Sequence, residues 1–203
     1  CYYWHNFSYF LIKRKAMEIE KIQVVNASHI WGAETKKLIQ MRLNIGDLKL
    51  KSTNEIEGFS HRIKTLIPSL YSRKCQQGFA GGFFRTLDNG ITIPEVVAHI
   101  AAELQTLAGT ETDFSTAVIS QNEEVYDIVV SYIHEDAGMF AAMVAVEIVE
   151  ALLKYTPYFI RYDIERLKEI NKESRLASIT SKNKQQYFRL NHHETVKVGY
   201  VIN

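Results

Sequence analysis

The segment 137-AGMFAAMVAVEIVEALLKY-155 constrains the fold more than any other. It has no proline, and Glu147, Glu150 and Lys154 are its only charged residues. A helix that is apolar around most of its circumference must be covered on several sides, so this one is expected to be the central core helix. The covering layers have to come from the rest of the 203 residues, enough for one packed domain. 18-EIEKIQVV-25, 38-LIQMRLNI-45 and 125-VYDIVVSYI-133 read as strands. 59-FSHRIKTLIPSL-70 has helical spacing, with Pro68 placed to end or kink it. 94-PEVVAHIAAELQTLAG-109 is a helix with an apolar stripe at 97, 100, 101, 104, 107 and 108, Pro94 in its first turn and Gly109 as its stop. 163-DIERLKEINKESRL-176 reads as an amphipathic charged helix capped by Asp163.

The connections are polar or glycine-rich. 46-GDLKLKSTNEIEG-58 and 110-TETDFSTAVISQNEE-124 read as loops, and 75-CQQGFAGGFFRTLDNG-90, with four glycines, as an irregular, tightly turned segment. After Leu176 the chain turns rich in Ser, Lys and Asn, with 187-YFRLN-191 and 196-VKVGYVIN-203 as short strand-like pieces. Strands and helices without a clean βαβ alternation predict an α+β domain: a small mixed sheet packed against a few helices, with a poorly packed C-terminal tail.

The formal net charge of +1 provides no global field to steer nucleic acid or an anionic membrane. Cys1 and Cys75 form neither a metal-type pair nor a disulfide framework, which suits a reducing, cytoplasmic setting. Residues 1-CYYWHNFSYFLIKRKA-16 place aromatic residues before basic ones, the reverse of a secretory signal. Translation is expected to start at Met17, with 1–16 an upstream extension; a short interfacial anchor is the alternative. No run approaches the roughly 20 apolar residues of a membrane span.

Most catalytic signatures are missing. The sequence has no GxxxxGK[ST] loop and no GxSxG elbow. 78-GFAGGF-83 does not open a helix after a strand in the dinucleotide pattern, which leaves a phosphate role without support. Cys75 has no histidine partner in sequence, and His192-His193, adjacent on an expected strand, would point to opposite faces. One constellation remains. Glu95, His99 and Glu103 stand at i, i+4 and i+8 on a helix, where neighbours meet on one surface. A histidine and a carboxylate one turn apart can share a metal. Equally, Glu95 is a favourable first-turn charge and His99 an ordinary half-buried side chain.

From Met17 onward the chain resembles the N-terminal domain of cyanophycin synthetases, bacterial enzymes that build an aspartate polymer with arginine branches. The resemblance is carried by 18-EIEKIQVVNASHIWG-32, 38-LIQMRLNIGDL-48, 54-NEIEGFSHRIKTLIPSL-70, 75-CQQGFAGGFFRTLDNG-90, 99-HIAAELQTLAG-109 and 125-VYDIVVSYIHEDAG-138, in that order. It covers roughly 17–176, with 177–203 resembling a degenerate start of an ATP-grasp domain. In such enzymes ATP-grasp and Mur-ligase-like domains perform the ligation, with ATP and magnesium, and the N-terminal domain holds the polymer. Some members carry an HxxEH metal motif for polymer hydrolysis. Here that position reads 95-EVVAH-99: Glu95 replaces the first histidine, Ala98 the general-base glutamate, and His99 remains. A family-like FGRTRET segment reads 114-FSTAVIS-120, and LGPST reads 176-LASIT-180.

The resemblance therefore implies a polymer-holding module without ligase chemistry or cofactor of its own. Arg85, His99 and Glu103 are the polymer-binding candidates. Two rival readings stand beside it: a residual metal-dependent hydrolase built on Glu95, His99 and Glu103, and a docking subunit for an ATP-grasp partner that uses the tail 177–203.

Overall fold

The computed structural model describes residues 16–26, 37–73, 78–112, 114–120 and 122–195, the stretch 181–195 by its backbone alone. Cys1, Cys75, the segment 27–36 with its tryptophan, and the expected strand 196–203 lie outside the described residues.

Four strands form one sheet: β1 (Glu18–Asn26), β2 (Lys37–Asn44), β3 (Ser115–Ile119) and β4 (Val125–Ser131), in the order β1-β2-β4-β3. The α+β class is as expected, but every pairing is antiparallel, so the sheet is not mixed. Register follows the alternation of side chains. Ile39 faces Val130, Met41 faces Ile128 and Leu43 faces Tyr126, and all of these turn toward the core. The intervening Gln40, Arg42 and Asp127 lie on the outer face, beside a second, smaller apolar cluster of the buried Leu38 and Val129 with Val25 and Phe114. There Arg42 is doubly hydrogen-bonded to Asp127 (3.0 and 3.2 Å), and the Gln23 amide donates to Gln40 (2.9 Å).

Among the described residues, five α-helices accompany the sheet: α1 (Phe59–Leu66), α2 (Gly82–Asn89), α3 (Ile93–Leu107), α4 (Glu135–Leu153) and α5 (Ile160–Thr195). α4 is the expected core helix, burying ten residues from Ala137 to Leu152. α3 is as deeply placed, with Val96, Val97, Ala98, Ile100, Ala101, Ala102 and Leu104 all inaccessible, so its apolar surface is wider than the stripe read from spacing. The two helices pack together across the sheet. Gly138 lets the start of α4 lie close against the sheet: a Cβ there would lie 2.8 Å from Tyr132 Cβ and 3.1 Å from Ile39 Cγ1. The C-terminal end of α4 is held from α1. Arg62 Nε donates to the Leu152 carbonyl (3.0 Å), Nη1 donates to the Glu57 carbonyl (2.9 Å), and the guanidinium stacks 3.9 Å from the Tyr155 ring centre.

Four expectations need correction. 75–90 is not irregular throughout. Gly78 and Gly81, at φ +74° and +84°, make the turn, and α2 follows at once. Within 110–124 lies the edge strand β3, because Thr116, Ala117 and Val118 pair with β4. Helix 163–176 begins earlier and runs on to Thr195, since no glycine or proline interrupts 160–195. Asp163 is thus within its first turn rather than at its cap. The piece 187–191 and the pair His192-His193 are helical, not strand.

Candidate functional site

α3 carries the constellation, and its neighbours decide what it can do. Pro94 and the extended Thr92 start the helix, placing Glu95 in the first turn. Burial raises the Glu95 carboxyl above the ordinary glutamate range. One turn on, His99 packs against Phe83 of α2, ring centres 4.5 Å apart. Its pKa falls to about 4, first because burial disfavours the imidazolium and second because the Arg73 guanidinium is near. His99 is therefore neutral at physiological pH.

Another turn on, Glu103 is almost fully buried, at 4 % exposure. A buried carboxylate needs a cation or donors. Arg73, at the end of the short turn Pro68–Ser72, supplies them: its Nε lies 2.8 Å from Glu103 Oε2. Its Nη2 also reaches the hydroxyls of Thr106 (3.1 Å) and Thr112 (3.4 Å). Both threonines donate in turn to the Ala102 carbonyl. The ion pair therefore sits inside a satisfied network joining three segments.

The residues do not fit a metal. Ala98 is inaccessible and offers no donor where a general base would be needed. Glu103 is already neutralised, and Arg73 would repel a divalent ion placed beside His99. Among the described residues, no three His, Cys, Asp or Glu side chains group closely enough to hold a metal ion.

Each sequence candidate has its place. His99 and Glu103 share one region through Arg73, whereas Glu95 stands one turn before His99 in the first turn of α3. Arg85 is exposed on α2, two positions past the buried Phe83. Arg73 escaped the sequence reading because thirty residues separate it from Glu103 and no local pattern links them. The available signal was Glu103 itself, a charge on a helix buried nearly all round, which demanded a partner.

A second polar surface is the outer sheet face. Lys21, Gln23, Gln40, Arg42 and Asp127 surround a shallow depression there, with both signs of charge. Among the described residues, no helix is long and apolar enough to cross a membrane.

Fold and site together define a two-layer α+β domain whose buried charges neutralise one another and whose exposed charges lie on open faces. Comparison with known proteins narrows that class. Residues 39–154, from β2 to the end of α4, match the cyanophycin synthase-like N-terminal domain, and the chain belongs to this family. It is 32% identical over 167 residues to the cyanophycin synthetase of Geminocystis herdmanii, covering 81% of this chain and 19% of that protein. It is 29% identical over 197 residues to the cyanophycin synthetase of Trichormus variabilis, covering 92% of this chain and 22% of that protein. The Synechocystis cyanophycin synthetase is similar at 31% over 167 residues, covering 81% of this chain and 19% of that protein. The chain thus spans about a fifth of the length of these relatives.

Proposed function

We propose that this chain holds the arginine/aspartate polymer cyanophycin and performs neither its ligation nor its hydrolysis. The observation that carries the reading is the closed Arg73–Glu103 pair on the helix that also carries Ala98: the buried carboxylate already has an internal cation, and Ala98 has no group that can move a proton. Family membership supplies the ligand class. The polymer bears guanidinium and carboxylate groups along its length, and a surface that offers both signs of charge suits it. The outer sheet face, with Lys21, Arg42 and Asp127, has that character. Exposure favours Arg85 as a polymer contact, whereas the burial of Glu103 favours a structural role for that residue. ATP and magnesium belong to the ligation chemistry of ATP-grasp and Mur-ligase-like partners, in cis or in trans, in the cytoplasm.

Co-sedimentation tests the reading. The chain is mixed with insoluble cyanophycin at low and at moderate salt, and the pellet is assayed for protein. The proposal expects folded chain in the pellet, reduced as salt screens the charges. Folded chain that stays in the supernatant at both salt concentrations contradicts it.

A further inference from the structure

The cleft between the C-terminal end of α3 and the first half of α5 has a composition that the site on α3 does not explain. It is an open depression of about 570 Å³. Leu107, Ala108 and Gly109 make one wall and Leu176 closes part of the other. Gly109 turns the chain at φ +85°, and a Cβ built there meets nothing within 4 Å, so the wall is open above it.

The rim is cationic. Lys168, Lys172 and Arg175 follow one another at i, i+4 and i+7 on α5 and all line the cleft. Glu169 and Glu173 surround Arg166 at 3.0 and 3.9 Å and do not line the cleft, whereas Glu165 pairs with Lys168 at 2.9 Å and offsets that one cation of the three. Among the described residues, no carboxylate forms an ion pair with Lys172 or Arg175. The two elements are clamped by Asn171, which is 3 % exposed and donates through Nδ2 to the Ala108 carbonyl at 3.2 Å.

The end of α3 accounts for only part of this charge. A helix C-terminus carries roughly half a negative charge, and one cation would balance it. Lys172 and Arg175 alone exceed that, leaving a cleft of net positive charge with an apolar wall.

We infer that the α3–α5 cleft binds carboxylate groups of an extended ligand, with Lys172 and Arg175 as the principal contacts and Lys168 as a third. The inference rests on the polymer-holding reading for the identity of the ligand, which presents its carboxylates at regular intervals. The chemistry itself requires only a polycarboxylate.

Two probes separate the claims. The whole chain is titrated with poly-L-aspartate, which carries carboxylates and no arginine, and in parallel pelleted with cyanophycin. The triple variant Lys168→Gln/Lys172→Gln/Arg175→Gln, which removes the three rim cations, changes exposed side chains only, so it should fold. Arg166→Gln, which removes a charge outside the cleft, is the control. The expected result is salt-sensitive binding of poly-L-aspartate, weakened at least tenfold in the triple variant and unchanged in the control. Equal loss in both variants, or none in the triple variant, overturns the cleft as the site. Cyanophycin pelleting that survives in the triple variant also overturns it while leaving the polymer-holding reading intact. Binding of poly-L-aspartate through the cleft without pelleting of cyanophycin supports the cleft and sinks the polymer reading instead.

Discussion

Replacing Arg73 by methionine tests whether the α3 site is closed by an internal ion pair. The side chains of Arg73 and Glu103 are 16% and 5% exposed. Removing one partner of a pair this buried strands the other charge, at a cost of about 3–5 kcal/mol. The residual exposure of Arg73 lets some water reach the carboxylate, so about 3 kcal/mol is expected. Thr106 and Thr112 keep the Ala102 carbonyl as acceptor and add little to the loss. The double variant Arg73→Met/Glu103→Leu removes both charges and fills much of the same volume. It should recover to within about 1 kcal/mol of the parent, giving a coupling energy of about 2 kcal/mol or more. Urea denaturation of the parent, both single variants and the double variant measures this, with m held constant as the check on two-state behaviour. Thermal midpoints should fall by roughly 6–12 °C in Arg73→Met and largely recover in the double variant. A loss below about 1 kcal/mol with no coupling would refute the reasoning. The pair would then behave as a surface contact, and Glu103 would be available for other chemistry.

Three further outcomes follow from the same geometry. Folding holds His99 at about 4, below the ordinary histidine value of roughly 6.5. The unfolded chain therefore binds a proton that the folded chain refuses. The contribution is fully present above about pH 6.5 and is lost as pH falls toward 4, by on the order of 3 kcal/mol, and His99→Gln should remove this part of the pH dependence in denaturation curves. Gly138→Ala forces a Cβ to within 2.8 Å of Tyr132, and calorimetry should show about 1–3 kcal/mol of destabilisation from overpacking. Arg62→Ala removes two hydrogen bonds and the stacking on Tyr155, and should cost about 2 kcal/mol by urea denaturation.

Much of this fold is legible in the sequence where burial imposes a period. β1, β2, β4, α3 and α4 all show one, because one face or the whole circumference meets the core. β3 was hidden, since a short edge strand buries little and 115-STAVI-119 looks like any polar connection. α2 was hidden by its own glycines. Gly78 and Gly81 turn the chain before the helix and Gly90 ends it, but Gly82 already belongs to the helix, and four glycines together suggested irregular backbone throughout. α5 ran past its expected end because the shift to Ser, Lys and Asn after Leu176 suggested a break, whereas 176-LASIT-180 has no residue that breaks a helix. At the site, spacing put Glu95, His99 and Glu103 on one helix. It could not supply Arg73, whose contribution depends on the tertiary approach of the turn before α2. That missing cation separates an open ligand set from a closed structural pair.

The central claim is that the chain retains a polymer-holding scaffold and lacks the means to cut the polymer. The most direct measurement incubates folded chain with insoluble cyanophycin, with added zinc and with a chelator, and follows bound protein and soluble arginine-containing fragments together. The account predicts binding in every condition, reduced in Arg85→Ala, and no fragments in any. Fragment release that zinc sustains and the chelator abolishes would contradict it, showing that His99 and its neighbours assemble a working metal centre despite Ala98 and Arg73.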